Sequence, residues 1–153
     1  MYKKSLKLTE NNTLKSHVNR LRASNLRPTK QRVVICKTLF EKKETFHFTI
    51  EKLKQIVEKS TKSKISLATI YNTVHAFQKN GYLKEISVKG NKTFYDTNAE
   101  SHHHFYDEHN GDLIDIKNED ILLSRIPTAP KGKKINKIEV TISLENNSHN
   151  QKK

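Results

Sequence analysis

Residues 66–96, SLATIYNTVHAFQKNGYLKEISVKGNKTFYD, decide the fold of the first part of the chain. Ser66 can cap the amino end of a helix, because its hydroxyl can accept a hydrogen bond from the first turn. Apolar residues then recur at intervals of three, four and three, the spacing of a helix that buries one face. They are Leu67, Ile70, Val74 and Phe77. Asn80-Gly81 can end this helix in the left-handed conformation.

After this helix the pattern predicts a β-hairpin, with extended runs at 82–88 and 93–96. Lys89-Gly90-Asn91-Lys92, between the two runs, is typical of a hairpin turn. Helices followed by a hairpin with a basic tip are the elements of a winged helix-turn-helix. In that fold the helix before the hairpin enters the major groove of DNA.

Three more helices are predicted before residue 66. The first has Leu14, Val18 and Leu21 on one face, the second is capped by Thr29 and runs to about Lys43, and the third is capped by Thr49. Residues 1–13 are expected to form a flexible arm. The winged-helix domain therefore covers residues 1–95.

Residues 96–146 predict a second, smaller domain, and residues 147–153 a polar tail. Strands are expected at 102–106, 112–116 and 138–144, with a short helix at 119–125. Ile138, Val140, Ile142 and Leu144 alternate along the last strand. So small a domain cannot bury its own sheet, and we expect a homodimer held by these strands. The predicted fold class is α+β, an N-terminal winged helix-turn-helix domain followed by a small α/β dimerisation and sensing domain.

The charge of the chain is divided unevenly. Residues 1–95 hold 21 Lys/Arg and 6 Asp/Glu, whereas residues 96–153 hold 8 and 10. Basicity confined to one part is typical of a protein that binds a polyanion such as double-stranded DNA, although a lysine-rich solubilising surface gives the same count. The sequence has no apolar run long enough to span a membrane and no secretory leader, so a cytoplasmic protein is expected.

The outer face of the helix after Ser66 carries groups that can read bases. Asn can bond adenine through two hydrogen bonds, and Tyr and Thr can contact thymine methyls and phosphates. Basic and polar residues at the start of the second helix suit phosphate or minor-groove contacts. The predicted DNA-binding set is Arg27, Lys30, Gln31, Arg32, Thr69, Tyr71, Asn72 and Thr73.

The run His102-His103-His104 predicts a ligand site. Side chains alternate along a strand, so His102 and His104 share one face and His103 faces the other way. Carboxylates can come from Asp96 and Asp115, and a further imidazole from His47 at the start of the third helix. This thiolate-free set suits Fe(II), Mn(II) or Zn(II). The three consecutive histidines could instead bind haem, or form a solvated cluster.

The chain resembles the ferric uptake regulator family over roughly residues 14–145. The resemblance lies in LRPTKQR at 26–32, SLATIYNTV at 66–74, and the triple histidine at 102–104 with Gly111 to Ile116 behind it. Arg27-Pro28-Thr29, Asn72 and the triple histidine are similar to the iron response regulator branch. The resemblance implies a DNA-binding repressor of iron or haem homeostasis genes, with a regulatory metal site on His47, Asp96, His102, His104 and Asp115. In that branch the triple histidine is also implicated in haem binding.

The chain departs from the family pattern at several positions. Asp107 and Asn110 stand where other members have a zinc-binding CxxC pair, so no structural zinc site of that kind is expected. Cys36 is the only cysteine; it is followed by Lys37, so the Cys-Pro haem motif is missing. Ile138 stands near the position of a further family histidine, which argues against a second divalent site around His103.

Two rival functions come from other classes. A metal-dependent enzyme could use the His/Asp cluster for hydrolysis or redox chemistry, but it would leave the basic winged head unexplained. A protein that compacts nucleic acid without sequence preference would make the histidines incidental. We therefore expect a regulator and not an enzyme, with the effector open between a divalent metal and haem.

Overall fold

The computed structural model describes residues 2–147 of the chain, with side chains from residue 13 onward. The chain divides into two compact units, the first ending at Ala99 and the second beginning at Glu100. Asp96 therefore lies in the first unit. Helices with a small sheet in one unit and a second small sheet in the other confirm the predicted α+β class.

The first unit contains four helices and three strands. The helices are α1 (Tyr2–Ala23), α2 (Lys30–Phe40), α3 (Ile50–Thr61) and α4 (Leu67–Lys79), and the strands are β1 (His47–Phe48), β2 (Lys84–Val88) and β3 (Lys92–Asp96). The predicted caps are confirmed, because the hydroxyls of Thr29, Thr49 and Ser66 each accept a hydrogen bond from a backbone N–H three residues on, at 3.3, 3.3 and 3.1 Å. No helix among the described residues is both long enough and apolar enough to cross a membrane.

The first helix differs from the prediction at its start. Helix α1 begins at Tyr2, so residues 2–13 are helical where a flexible arm was predicted. Lysine and leucine supply five of the twelve residues in this stretch, and both lose little rotamer freedom in a helix. The end of α1 nevertheless packs as predicted, since Leu21, one of the residues on the predicted apolar face, is fully buried.

Two leucines predicted to face the core are half exposed. Leu14 is 50% exposed and Leu67 is 48% exposed, while His17 and Thr73 are buried on the same helices. Leu67 is the first residue of α4, where the helix has only begun to pack. The buried stripe of α4 therefore runs through Ile70, Thr73, Val74 and Phe77.

The hairpin has the predicted turn chemistry. In the turn between β2 and β3, Gly90 and Asn91 both have positive φ, 81° and 57°, as the mirror-image turns of hairpins require. Strand β1 adds to the far side of β3, giving the order β1-β3-β2. This two-residue strand was not predicted, because it is too short to show alternation.

The second unit is a three-stranded sheet of β4 (His103–Asp107), β5 (Asp112–Ile116) and β6 (Thr141–Leu144), in the order β5-β4-β6. The predicted helix at 119–125 is wrong, for only a 3₁₀ turn at Asn118–Asp120 is present. Seven residues without a packed face cannot offset the cost of helix nucleation, and Leu122 is 91% exposed.

One face of this sheet carries a row of apolar side chains. Phe105 lies opposite Ile114 on β5 and opposite Ile142 on β6. Ile114 is 52% and Ile142 is 38% exposed. The opposite face is defined by Tyr106 and Leu113, which are paired across the two strands and buried. The single chain thus covers one face of the sheet and leaves the apolar row open.

Candidate functional site

The first unit holds an imidazole–carboxylate pair at the junction of β1 and β3. His47 lies directly opposite Asp96 in the antiparallel register, and His47 Nε2 is 3.2 Å from Asp96 Oδ2. The Asp96 side chain is fully buried, and its Oδ1 accepts a hydrogen bond of 2.7 Å from the Asn98 backbone N–H. His47 was predicted at the start of α3 but lies on β1, which ends just before the Thr49 cap.

The second unit holds a cluster of two imidazoles and one carboxylate. His102 Nε2 is 3.1 Å and His104 Nε2 is 3.5 Å from the same oxygen, Asp115 Oδ1. Asp115 is the cross-strand partner of His104. Both histidines are buried, and the alternation expected along the strand accounts for their shared face.

The tautomer of His102 follows from its second hydrogen bond. His102 Nδ1 is 2.8 Å from the Glu100 carbonyl oxygen, which can only accept, so Nδ1 carries the proton. In the neutral ring Nε2 then presents a lone pair towards a carboxylate oxygen 3.1 Å away. Two electron-rich atoms at this distance need a proton or a cation between them. The cluster in the second unit is therefore a possible His/Asp metal site.

His103 faces the opposite side of the strand from His102, and its ring nitrogens have the opposite hydrogen-bonding roles. Its Nδ1 accepts a 3.1 Å hydrogen bond from the Val140 backbone N–H, just before β6. The neutral ring of His103 therefore carries its proton on Nε2. This histidine links β4 to the last strand of the sheet, a structural role that the sequence did not reveal.

A carboxylate organises the turn between β4 and β5. Asp107 Oδ1 accepts hydrogen bonds from the backbone N–H groups of His109 and Asn110 at 2.9 and 3.0 Å, and Oδ2 accepts one from the Asn110 side chain at 2.7 Å. These bonds, first of all that from the Asn110 backbone N–H, lower the pKa of Asp107. The turn is thus held by hydrogen bonds within its own residues.

The candidate nucleic-acid interface is the outer face of α4 beside the hairpin. Tyr71 is 49% exposed and Asn72 is exposed. They border a cleft of about 920 Å³ that is also bordered by Lys92 and Thr93 of the hairpin. Glu51 and Glu85 line the same cleft, so its lining carries acidic as well as basic side chains.

The start of α2 meets the start of α4. Lys30, Gln31 and Arg32 line a hollow of about 360 Å³ together with Thr29 and Thr69. Arg32 Nη1 donates a 3.1 Å hydrogen bond to the Arg27 carbonyl oxygen, which holds the Arg32 guanidinium near this hollow. Six of the eight predicted DNA-binding residues therefore fall into two groups. Four line the hollow, Lys30, Gln31, Arg32 and Thr69, and two border the cleft, Tyr71 and Asn72. Arg27 is exposed beside the first group.

Thr73 does not belong with them. Its side chain is fully buried, and its hydroxyl donates a 2.7 Å hydrogen bond to the Thr69 carbonyl oxygen of the preceding turn. A buried hydroxyl already satisfied by the helix cannot contact DNA. The prediction failed because Thr is equally suited to a solvent-facing and a helix-bonded position.

One feature of α4 was missed in the sequence. The His75 ring stacks on the Tyr71 ring, with centroids 5.7 Å apart and planes 8° from parallel. The two residues are one helical turn apart, so this contact follows from the helix period. His75 limits the positions that the Tyr71 ring can take at the mouth of the cleft.

Cys36 lies in the core, as predicted, and faces a histidine. Cys36 Sγ is 3.5 Å from His17 Nδ1, and both residues are buried. Burial raises the pKa of the Cys36 thiol and lowers the pKa of His17, so the pair is held as neutral thiol and imidazole. A buried neutral thiol is a poor nucleophile.

Known proteins with related sequences and folds are regulators. The peroxide-responsive repressor PerR of Staphylococcus aureus is 29% identical over 104 residues, 68% of this chain and 68% of its own length. The peroxide stress regulator of Campylobacter jejuni is 26% identical, with a TM-score of 0.53 over 90% of this chain and 96% of its own. The ferric uptake regulator of Pseudomonas aeruginosa, solved with manganese, shares the fold at 17% identity, with a TM-score of 0.61 over 85% and 97%.

A family model also matches most of the chain. The model of the ferric uptake regulator family matches residues 23–143, which cover most of each unit and include every candidate metal and DNA-binding residue. The chain belongs to the ferric uptake regulator family.

Proposed function

We propose that this protein is a metal-responsive, sequence-specific DNA-binding repressor of iron-dependent genes. The observation that carries the proposal is the His102–Asp115 contact, in which Nε2 lies 3.1 Å from a carboxylate oxygen while Nδ1 is bonded to a carbonyl oxygen, in the unit that follows a winged helix. The family consists of transcriptional regulators and not enzymes, which agrees with this function. The similarity of this chain to the iron response regulator branch of the family rests on residues 27–29, Asn72 and the triple histidine.

The proposed metal ligands come from both units. They are His47, Asp96, His102, His104 and Asp115. Asp96 and His102 are six residues apart in sequence, so a fully extended chain could separate them by no more than about 22 Å. The linker thus keeps the pair in the first unit within reach of the cluster in the second. A bound divalent cation would supply positive charge to these imidazole and carboxylate ligands.

Iron(II) or manganese(II) is the effector that the donors fit best. Three imidazoles and two carboxylates exceed the four ligands of a structural zinc site, and carboxylates favour the harder ions. Haem binding is less well supported by the side-chain contacts. Nδ1 of His103 accepts from Val140 N–H, and both ring nitrogens of His102 have partners within the unit.

A homodimer is part of the proposal. The row of Phe105, Ile114 and Ile142 leaves apolar side chains open on one face of a three-stranded sheet. A second copy that packs on this face would bury them by a two-fold contact. Two copies would also present two α4 helices, which is how dimeric regulators read adjacent half-sites of an operator.

Coupling between metal and DNA would act through β1. His47 lies two residues before Thr49, the cap of α3, and pairs with Asp96 at the end of the hairpin strand β3. Ligation of His47 and Asp96 would restrain both the hairpin and the start of α3, which packs against α4. A tenfold change in operator affinity needs only about 1.4 kcal/mol of difference between the two states.

The test is operator binding by the full chain, with an operator first obtained by selection from random DNA. Binding is measured for apo protein and with Mn(II), Fe(II) or haem. We expect a divalent ion to change operator affinity at least tenfold and His104→Ala to abolish that response. His109→Ala, in the exposed turn of the same unit, is the matched control and should respond as the parent does. If the operator affinity of His104→Ala responds to metal as that of the parent does, the metal-site assignment is disproved. Metal-dependent turnover of a substrate would favour the rival function, a metal-dependent enzyme.

His47→Ala separates ligation from coupling. We expect calorimetry to show that this variant still binds metal, somewhat more weakly, because the cluster in the second unit is intact. Its operator affinity should no longer respond to metal, since the ligand at β1 is lost. If operator affinity still responds as in the parent, coupling does not pass through His47.

A further inference from the structure

The second unit contains a basic segment whose charge is opposite to that of its surroundings. Residues 121–138 carry five cations and no Asp or Glu, whereas the rest of residues 100–147 carry nine Asp/Glu and one Lys. The cations are Arg125, Lys131, Lys133, Lys134 and Lys137. Such separation within about fifty residues is not what a uniformly lysine-rich surface would give.

The centre of the segment is a fixed turn. Lys133 N–H donates a 2.9 Å hydrogen bond to the Pro130 carbonyl oxygen, and Gly132 has a φ of 76°. A hydrogen-bonded turn with glycine at its third position in the left-handed conformation is typical of a type II β-turn. The three lysines at 131, 133 and 134 are therefore presented together and are all exposed.

These three lysines differ from the fourth in their partners. Lys137 Nζ is 3.0 Å from Glu139 Oε2. Among the residues with described side chains, 13–147, Lys131, Lys133 and Lys134 make no ion pair. Three ammonium groups held on one turn without an internal anion are suited to an external polyanion.

We propose that the turn at 130–134 is a second DNA-binding site, which contacts backbone phosphates beside the operator. The proposal rests on the proposed function, because DNA held by the winged helix brings phosphates to this unit at high effective concentration. Lysine contacts to phosphates are independent of base sequence. The turn would therefore add affinity and salt dependence, without adding base preference.

The test measures how the affinity of the full chain for a long operator fragment depends on salt. The variant is Lys131→Ala/Lys133→Ala/Lys134→Ala, and the matched variant replaces the same lysines by Arg. Each lost phosphate contact reduces the log–log salt slope by about 0.9, so we expect the alanine variant to lose about 2–3 per chain and the arginine variant to lose nothing. Lys117→Ala, in the same unit but outside the segment, should leave the slope unchanged.

Four results are decisive. The inference is supported if the alanine variant loses slope on a long fragment but not on one trimmed to the operator itself. An unchanged slope on the long fragment overturns the inference. It is also overturned if the alanine variant loses affinity only for anionic lipid vesicles, which would assign the turn and the nearby Ile126 and Ile135 to a membrane surface. Failure of the parent protein to bind DNA specifically would instead refute the proposed function, and the Arg variant reports any loss of fold.

Discussion

The two units bury their apolar side chains to very different extents. In the first unit a continuous core extends from Leu21 on α1 through Phe77 on α4 to Tyr95 on β3. In the described part of the second unit the buried apolar residues are Tyr106, Leu113 and Ile116, beside the three histidines. Leu122, Leu123, Ile126 and Ile135 are at least 47% exposed there. The first unit thus has its own core, whereas the second unit buries few apolar side chains and leaves several exposed.

The largest expected effect is on the core of the first unit. Phe77 is fully buried and makes edge-to-face contacts with Phe40 and Tyr82, at centroid distances of 5.3 and 6.1 Å. Phe77→Ala should lower the free energy of unfolding by about 3–5 kcal/mol. Leu122→Ala, at a position 91% exposed, should change it by less than about 0.5 kcal/mol. Urea denaturation followed by circular dichroism measures both.

Equal effects of these two substitutions would contradict the comparison. If Phe77→Ala does not fold, the milder Phe77→Leu can be measured instead. It should lower the free energy of unfolding by about 1 kcal/mol.

The next effect concerns the open face of the second unit. Ile142→Lys places a charge in the apolar row, and we expect it to weaken the dimer by about 3 kcal/mol, more than a hundredfold in dissociation constant. Ser143→Lys lies on the opposite face of β6, beside Tyr106 in the register, and should leave the dimer intact. Sedimentation velocity over a range of concentrations distinguishes them. A parent protein that is already monomeric at micromolar concentration would remove the dimer from the proposal.

A smaller effect is expected at the reading face. Asn72→Ala should cost about 1–3 kcal/mol on the operator and little on random DNA, because Asn72 is exposed and able to bond a base edge. Lys30→Ala should weaken binding to both DNAs similarly and reduce the salt slope by about 0.9. Fluorescence anisotropy at several salt concentrations measures these changes. Equal losses of Asn72→Ala on the two DNAs would show that it contacts the backbone.

The smallest effect tests the buried pair of Cys36 and His17 in the first unit. Because burial lowers the pKa of His17 in the folded state, the unfolded chain binds more protons than the folded chain once the pH falls below the ordinary histidine value of 6.5. Stability is therefore fully present above that value and declines below it. His17→Gln should show a weaker decline between about pH 7 and pH 5 than the parent. His109→Gln, at an exposed position, should decline as the parent does, and identical profiles for all three would contradict the role of His17.

Local sequence determined much of the first unit. The caps at Thr29, Thr49 and Ser66, the turn at Gly90-Asn91 and the stripe through Ile70, Val74 and Phe77 all depend on neighbours within four residues. Such features follow from side-chain chemistry and helix period, and they could be predicted. The family resemblance was also carried by such local runs.

Long-range packing decided the rest. β1 exists only because β3, which lies beyond two helices in sequence, pairs with it and sets His47 opposite Asp96. Thr73 is buried and Leu67 exposed because neighbouring elements cover one edge of α4 more than the other. The opposite tautomers of His102 and His103 depend on a carbonyl two residues back and on an N–H 37 residues ahead. The sequence by itself determined which groups are available for ligands and DNA, whereas only the tertiary structure decided which atoms of those groups face each other, because hydrogen bonds and burial between distant segments have no local pattern.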